Sequence, residues 1–187
     1  VRDANWGRAQ LPLGHRVSGK RLGILGLGRI GAAIARRSSG FEMQVRYHNR
    51  RPLAGCDYAY EASLHELARW SDFLIVACPG GENTRNLVDR SVMDALGSQG
   101  VLINVSRGSV IDEPALVSAL QDGRLGGAGL DVYVHEPQMP PALLEMPNVV
   151  LLPHIGSATE ETRLAMEELL FDNLRSFLER GEMLTAV

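Results

Sequence analysis

Arg21-Leu22-Gly23-Ile24-Leu25-Gly26-Leu27-Gly28-Arg29-Ile30-Gly31-Ala32-Ala33-Ile34-Ala35 joins a short apolar run to Gly-x-Gly-x-x-Gly and then to an alanine-rich segment of helical composition. The order strand, glycines, helix gives each glycine a physical task. Gly26 permits the tight turn, Gly28 lets the backbone close on a pyrophosphate, and Gly31 lets helix and strand pack tightly. The phosphates then meet unpaired N–H groups at the positive end of the helix dipole. Such a turn in this context predicts a dinucleotide site, with Leu27, Arg29 and Ile30 lying between the glycines at the phosphate-binding turn.

Outward from this stretch, strand-like runs alternate with helix-like runs. Strands are expected near 21–25, 43–47, 72–77, 100–105, 127–132 and 148–152, and helices near 29–39, 62–69, within 84–96, and at 113–121. Alternation of this kind implies an α/β fold of Rossmann type: a doubly wound parallel sheet with helices on both faces. Asp112 with Pro114 fits a helix cap followed by a first-turn proline, and Ser157 with Glu160 fits a capping box opening a last helix that Gly181 ends near residue 180. Residues 1–20 contain Pro12 and Gly14, lack periodicity and read as a connector arriving from an upstream part of a longer polypeptide. Residues 21–157 read as the dinucleotide-binding domain and 158–187 as a C-terminal helix and tail.

The composition limits the partners. With 187 residues, 45% hydrophobic and 22% charged, and a formal charge of −3, there is no global electrostatic reason for nucleic acid or an anionic membrane to bind. No apolar run approaches the roughly 20 residues of a membrane span. Cys56 and Cys78 lack the spacing of a disulfide framework or a zinc site, and His15, His48 and His65 lack ligand spacing, so no metal is expected. The chain reads as cytoplasmic, with small molecules or other protein chains as partners.

The second strand discriminates between cofactors. An NAD-binding unit places Asp or Glu at its end, about 20 residues beyond the glycines, to accept hydrogen bonds from the adenosine ribose. Here the strand is followed by His48-Asn49-Arg50-Arg51. A carboxylate would repel a 2'-phosphate, whereas guanidinium forks pair with it. NADP is therefore the expected cofactor, with NAD as the alternative if the two arginines are simply solvated loop charges.

Ligands of open parallel sheets bind outside the carboxyl ends of the strands. Four polar segments fall there: Cys78-Pro79-Gly80-Gly81, Asn104-Val105-Ser106-Arg107-Gly108, Asp131 followed by His135-Glu136-Pro137, and Pro153-His154-Ile155-Gly156-Ser157. Arg107, Glu136 and His154 form a coherent chemical set. Reduction of a 2-oxo acid needs a cation for the substrate carboxylate and a proton donor for the developing alkoxide. Arg107 supplies the first. His154 supplies the second, since an imidazole titrates near neutral pH, and Glu136 orients it and stabilises its protonated form. His135 competes for the proton-donor role, but as the sequence neighbour of Glu136 its side chain diverges from it.

These motifs together resemble the cofactor-binding domain of the D-isomer-specific 2-hydroxyacid dehydrogenases, and the resemblance covers nearly the whole chain. It implies that Arg107, Glu136 and His154 are the catalytic arginine, glutamate and histidine. It further implies that Leu27, Gly28, Arg29 and Ile30 touch the pyrophosphate and that Asn49, Arg50 and Arg51 meet the adenosine ribose end. Cys78 and Pro79 would lie on the adenine side, Val105, Ser106 and Arg107 on the nicotinamide side, and Asp131 at the carboxamide; Gly156 belongs to the same set. The loop after the second strand is similar to that of NADP-dependent glyoxylate and hydroxypyruvate reductases. The resemblance also implies a homodimer, and an N-terminal substrate domain that is missing here, so that this chain alone is expected to bind cofactor but turn over substrate poorly. A corepressor-like, cofactor-sensing protein without turnover is the alternative function.

Overall fold

The computed structural model describes residues 14–185, so most of the expected connector lies outside the described residues. In chain order the elements are β1 (Arg21–Leu25), α1 (Arg29–Ser38), β2 (Gln44–His48), β3 (Ala59–Tyr60), α2 (Leu64–Trp70), β4 (Phe73–Val76), α3 (Arg90–Leu96), β5 (Val101–Asn104), α4 (Glu113–Gln121), β6 (Gly127–Leu130), α5 (Pro141–Leu144), β7 (Val149–Leu151) and α6 (Glu160–Arg180). The seven strands form one sheet in the order β3-β2-β1-β4-β5-β6-β7, and every pairing is parallel. From β1 the chain winds outward through β2 and β3, then returns to place β4 on the other side of β1. That reversal opens a crevice between the carboxyl ends of β1 and β4. This is the Rossmann-like α/β architecture.

Period-2 alternation sends the residues of β1 to two different cores. Leu22 and Ile24 pack with Leu27, Ala35 and Tyr47 on the α1 side. Leu25 faces the other way and joins Leu67, Val76, Met93, Leu102 and Leu116, contributed by α2, β4, α3, β5 and α4. Each fully buried leucine of this kind contributes roughly 1.5–3 kcal/mol, more than an exposed ion pair at about 0–1 kcal/mol, so apolar layering holds the sheet between its helices.

Local chemistry sets the helix ends. Asp112 caps α4 as the sequence predicts, its carboxylate accepting from the Ala115 N–H at 3.1 Å. The helix expected within 84–96 begins only at Arg90, because the Asp89 carboxylate accepts from the Val92 N–H at 3.0 Å and residues 82–84 form a separate 3-10 turn. The expected Ser157–Glu160 capping box is corrected. Thr159, in an extended conformation, caps α6 through its hydroxyl, which accepts from the Thr162 N–H at 3.2 Å. The same three-residue spacing recurs two positions later, where Glu160 and Glu161 fill the first turn and complement the helix dipole. Gly181 ends the helix with a φ of 75°. Two short elements, β3 and α5, carry too few residues to show periodicity and were not foreseen; β2 runs one residue later than expected, ending at His48.

The chain forms two compact units, one ending at Leu151 and one beginning at Leu152. The second holds α6, whose C-terminal end is closed by the Ser176 hydroxyl donating to the Glu182 carbonyl at 2.7 Å and by paired hydrogen bonds between Asn173 and Thr185. No helix among the described residues is long and apolar enough to cross a membrane.

Candidate active site

Parallel register aligns the last residues of six strands in one row: His48, Leu25, Val76, Asn104, Leu130 and Leu151 are successive partners across the sheet. The segments that follow β1, β2, β4, β5 and β6 are therefore delivered to a single rim. The glycine turn follows β1. Gly26 has a φ of +99°, and a Cβ there would lie 2.5 Å from the backbone nitrogen of Cys78, so no other residue fits between β1 and the end of β4. A Cβ on Gly31 would lie 2.2 Å from the Gly26 carbonyl oxygen, so α1 packs directly on the turn.

Gly28 differs from these two. Its Cβ position faces open space, and as the N-cap of α1 it places no side chain over the helix end, whose first turn also carries no acid. The N–H groups of that turn stay uncapped by any side chain, an electropositive cradle suited to phosphate oxygens. Leu27 contributes differently from its glycine neighbours: its side chain is buried in the α1-side core, and its N–H donates to the Asn49 Oδ1 at 2.8 Å. A dinucleotide pyrophosphate fits the residues that are present. Beyond β2, Arg50 and Arg51 are exposed.

Ile30, on the exposed side of the first turn of α1, faces residues 77–81 and 105–107 across a cleft of about 570 Å³. This cleft collects the expected cofactor residues Cys78, Pro79, Val105 and Ser106 on one surface. Burial pushes the Cys78 thiol above its ordinary pKa, so it lines the cleft as a neutral, weakly polar wall. A second cavity of about 530 Å³ is lined by residues 107–109, residues 133–136 and Gln138. Arg107 and Ser109 line both, so the arginine stands where the two cavities meet.

Arg107 owes its position to Asn104, a residue whose role the sequence reading missed. The Asn104 side chain is buried at 1% exposure, with Oδ1 accepting from the Ser106 N–H and Nδ2 donating to the Arg107 carbonyl, both at 3.0 Å. The loop is thereby folded back on itself, and the Arg107 guanidinium donates through Nη1 to the Ser106 carbonyl at 2.6 Å. Gly108 then presses against the next segment: a Cβ there would lie 2.0 Å from the Tyr133 carbonyl carbon. Two carboxylates pin that segment, since Glu136 Oε1 accepts from the Tyr133 N–H at 2.9 Å and Glu113 Oε2, from the start of α4, accepts from the Val134 N–H at 3.2 Å. Arg107 and Glu136 thus share one cavity on backbones held in direct contact. The signal for Asn104 was a polar residue closing the apolar run of β5; Glu113 gave none, because its partner is 21 residues away.

Asp131 is buried at the end of β6, where its N–H donates to the Asn104 carbonyl at 3.1 Å. His154 and Gly156 belong to the second unit, in the segment between β7 and α6; His154 has a φ of 55°, a left-handed conformation uncommon for a residue with a side chain. Such outliers gather at functional sites.

Known proteins resemble this chain along its whole length. Glyoxylate/hydroxypyruvate reductase A of Arabidopsis thaliana is 49% identical over 187 residues, covering 100% of this chain and 60% of the plant protein. The hydroxyphenylpyruvate reductase of Plectranthus scutellarioides matches equally, at 49% identity and 60% of its length. The crystal structure of an NADPH-dependent glyoxylate/hydroxypyruvate reductase from Sinorhizobium meliloti, in complex with NADP and malonate, superposes with a TM-score of 0.93 at 48% identity, over 100% of this chain and 59% of that one. The chain therefore spans about 60% of the length of these relatives. Residues 1–156 match the NAD-binding domain of the D-isomer-specific 2-hydroxyacid dehydrogenases, and the chain belongs to that family.

Proposed function

We propose that the full-length protein is an NADP(H)-dependent reductase of small 2-oxo acids, with glyoxylate and hydroxypyruvate as leading substrates, and that this chain is its cofactor-binding domain. The observation that carries the reading is Arg107 standing at the junction of the glycine-turn cleft and the Glu136 cavity. In this reading the bound reduced nicotinamide supplies a hydride to the carbonyl carbon. Arg107 binds the substrate carboxylate through its guanidinium fork, and His154 delivers a proton to the carbonyl oxygen, leaving a hydroxyl. Glu136 orients the imidazole and favours its charged form. Preference for NADP over NAD is supported by Arg50 and Arg51 at the place where an NAD-type unit carries an acid.

A homodimer and a cytoplasmic location belong to the same reading, supported by the family and by two free cysteines, which suit a reducing compartment. Most contacts to the substrate side chain come, on this reading, from an N-terminal domain that closes over the rim, so the chain alone binds cofactor and turns over slowly.

The test is a screen of full-length protein for NADPH oxidation against a panel of 2-oxo acids. Turnover is expected for glyoxylate or hydroxypyruvate, and His154→Ala is expected to lower kcat by about 10²- to 10⁴-fold, the usual worth of a positioned acid. A fully active His154→Ala protein overturns the assignment of the donor. Binding of NADPH without its oxidation in the presence of any 2-oxo acid would instead leave a cofactor-sensing protein.

A further inference from the structure

Glu113 is the first residue of α4, and its backbone is anchored on both sides. Between Arg107 and Glu113 the chain makes a 3-10 turn at Gly108–Val110 and then lies against Val88. The Val88 N–H donates to the Val110 carbonyl and the Asp112 N–H to the Val88 carbonyl, both at 3.0 Å. Asp112 then caps the helix through the Ala115 N–H. From this fixed base the Glu113 carboxylate reaches the segment beyond β6, where its Oε2 accepts from the Val134 N–H at 3.2 Å.

That bond closes a clamp on a single peptide unit. Gly108 packs on the peptide joining Tyr133 to Val134: a Cβ there would lie 2.0 Å from its carbon, 2.1 Å from its oxygen and 2.4 Å from its nitrogen. Glu113 holds the N–H of the same peptide, so the unit cannot turn without breaking the bond. Arg107 stands one residue before Gly108 and Glu136 two residues beyond Val134, and both line the cavity of about 530 Å³. Glu113 lines neither this cavity nor the cleft beside it.

A glutamate in the first turn of a helix also complements the helix dipole, a task that needs only its charge. The bond to Val134 needs only an acceptor oxygen at the right reach. Glutamine keeps that oxygen and loses the charge, whereas aspartate keeps the charge and falls one methylene short.

We propose, resting on the 2-oxo acid reductase reading above, that Glu113 is a positioning residue: by holding the Tyr133–Val134 peptide against Gly108 it sets the separation of Arg107 and Glu136, and it acts on turnover through them.

The test compares full-length wild type with E113Q and E113D in three measurements: kcat and KM for glyoxylate and hydroxypyruvate, Kd for NADPH, and the hydrogen-exchange rate of the Val134 amide. E113D is expected to lose at least about tenfold in kcat/KM, since a small displacement of positioning groups costs up to about 100-fold. Its Kd for NADPH is expected to stay within about twofold, and its Val134 amide to exchange at least about tenfold faster as the local closure loosens. E113Q is expected to stay within about twofold of wild type in all three. An E113Q as impaired as E113D returns Glu113 to the helix dipole and overturns the proposal. So does an E113D with wild-type kcat/KM, or one that loses NADPH affinity as strongly as kcat/KM. Should E113D not fold, E113A takes its place under the same expectations. Wild-type protein that reduces neither acid removes the functional reading instead, and the exchange rates then decide the clamp by themselves: equal rates in E113D and E113Q overturn it.

Discussion

Asn104 shows how one buried amide can position a charged side chain. Both of its polar ends are spent on its own loop, at Ser106 and Arg107. Replacing it with alanine leaves a buried N–H and a carbonyl without partners, each costing about 1–3 kcal/mol. Asn104→Ala is expected to lower unfolding free energy in urea by at least that amount and to reduce kcat/KM of the full-length protein, since Arg107 loses its support. An unchanged urea midpoint would show that the loop holds itself without the amide. The glycines of the turn were legible in the sequence because their spacing reports backbone requirements directly: Gly26 and Gly31 leave no room for a Cβ. Glu113 was not legible, because the N–H it accepts from belongs to a loop placed beside it only by the fold.

Among the elements, α6 gives the clearest contrast between pattern and structure. Ser157 and Thr159 both sit three residues before a plausible partner, and only Thr159 makes the cap. Thr159→Ala is expected to destabilise the second unit by about 1 kcal/mol, the ordinary worth of such a cap, whereas Ser157→Ala is expected to change stability by no more than a few tenths of that. Helix content followed through a denaturant series checks both, and equal effects would return the cap to Ser157. By contrast α1 begins without any side-chain cap. An N-terminus left bare keeps its N–H groups available for an anion, so this end is arranged for a ligand at some cost to the helix itself.

Across the whole molecule, stability toward acid rests in part on a tie at the amino edge of the sheet. Arg21 at the start of β1 donates through Nε and Nη2 to the Asp72 carboxylate beside β4, at 3.2 and 2.9 Å, and its N–H adds a third bond at 2.8 Å. The hydrogen bonds from Arg21 hold the Asp72 carboxyl below its ordinary pKa. A depressed folded-state value means the stabilisation is complete above the unfolded carboxylate pKa of about 3.9 and is lost as pH falls through the lower folded value. Asp72→Asn is therefore expected to destabilise the protein at neutral pH and to make its unfolding free energy fall less steeply below about pH 4. Parallel curves for the variant and wild type across that range would remove Asp72 from the acid response.

What the sequence alone determined was the set of local constraints: glycine spacing at the turn, apolar runs alternating between strand and helix, and the polar residues that end those runs. Each depends on neighbours a few positions away, so order along the chain was enough to read the Rossmann architecture. Only the tertiary structure decided how residues far apart share the work. It gave the Leu27 N–H to Asn49, placed Arg107 in the walls of two cavities, and braced the Glu136 segment with a carboxylate from α4. Those outcomes follow from parallel register, which aligns strand ends from distant parts of the chain in a single row, and no short-range pattern encodes which donor then meets which acceptor.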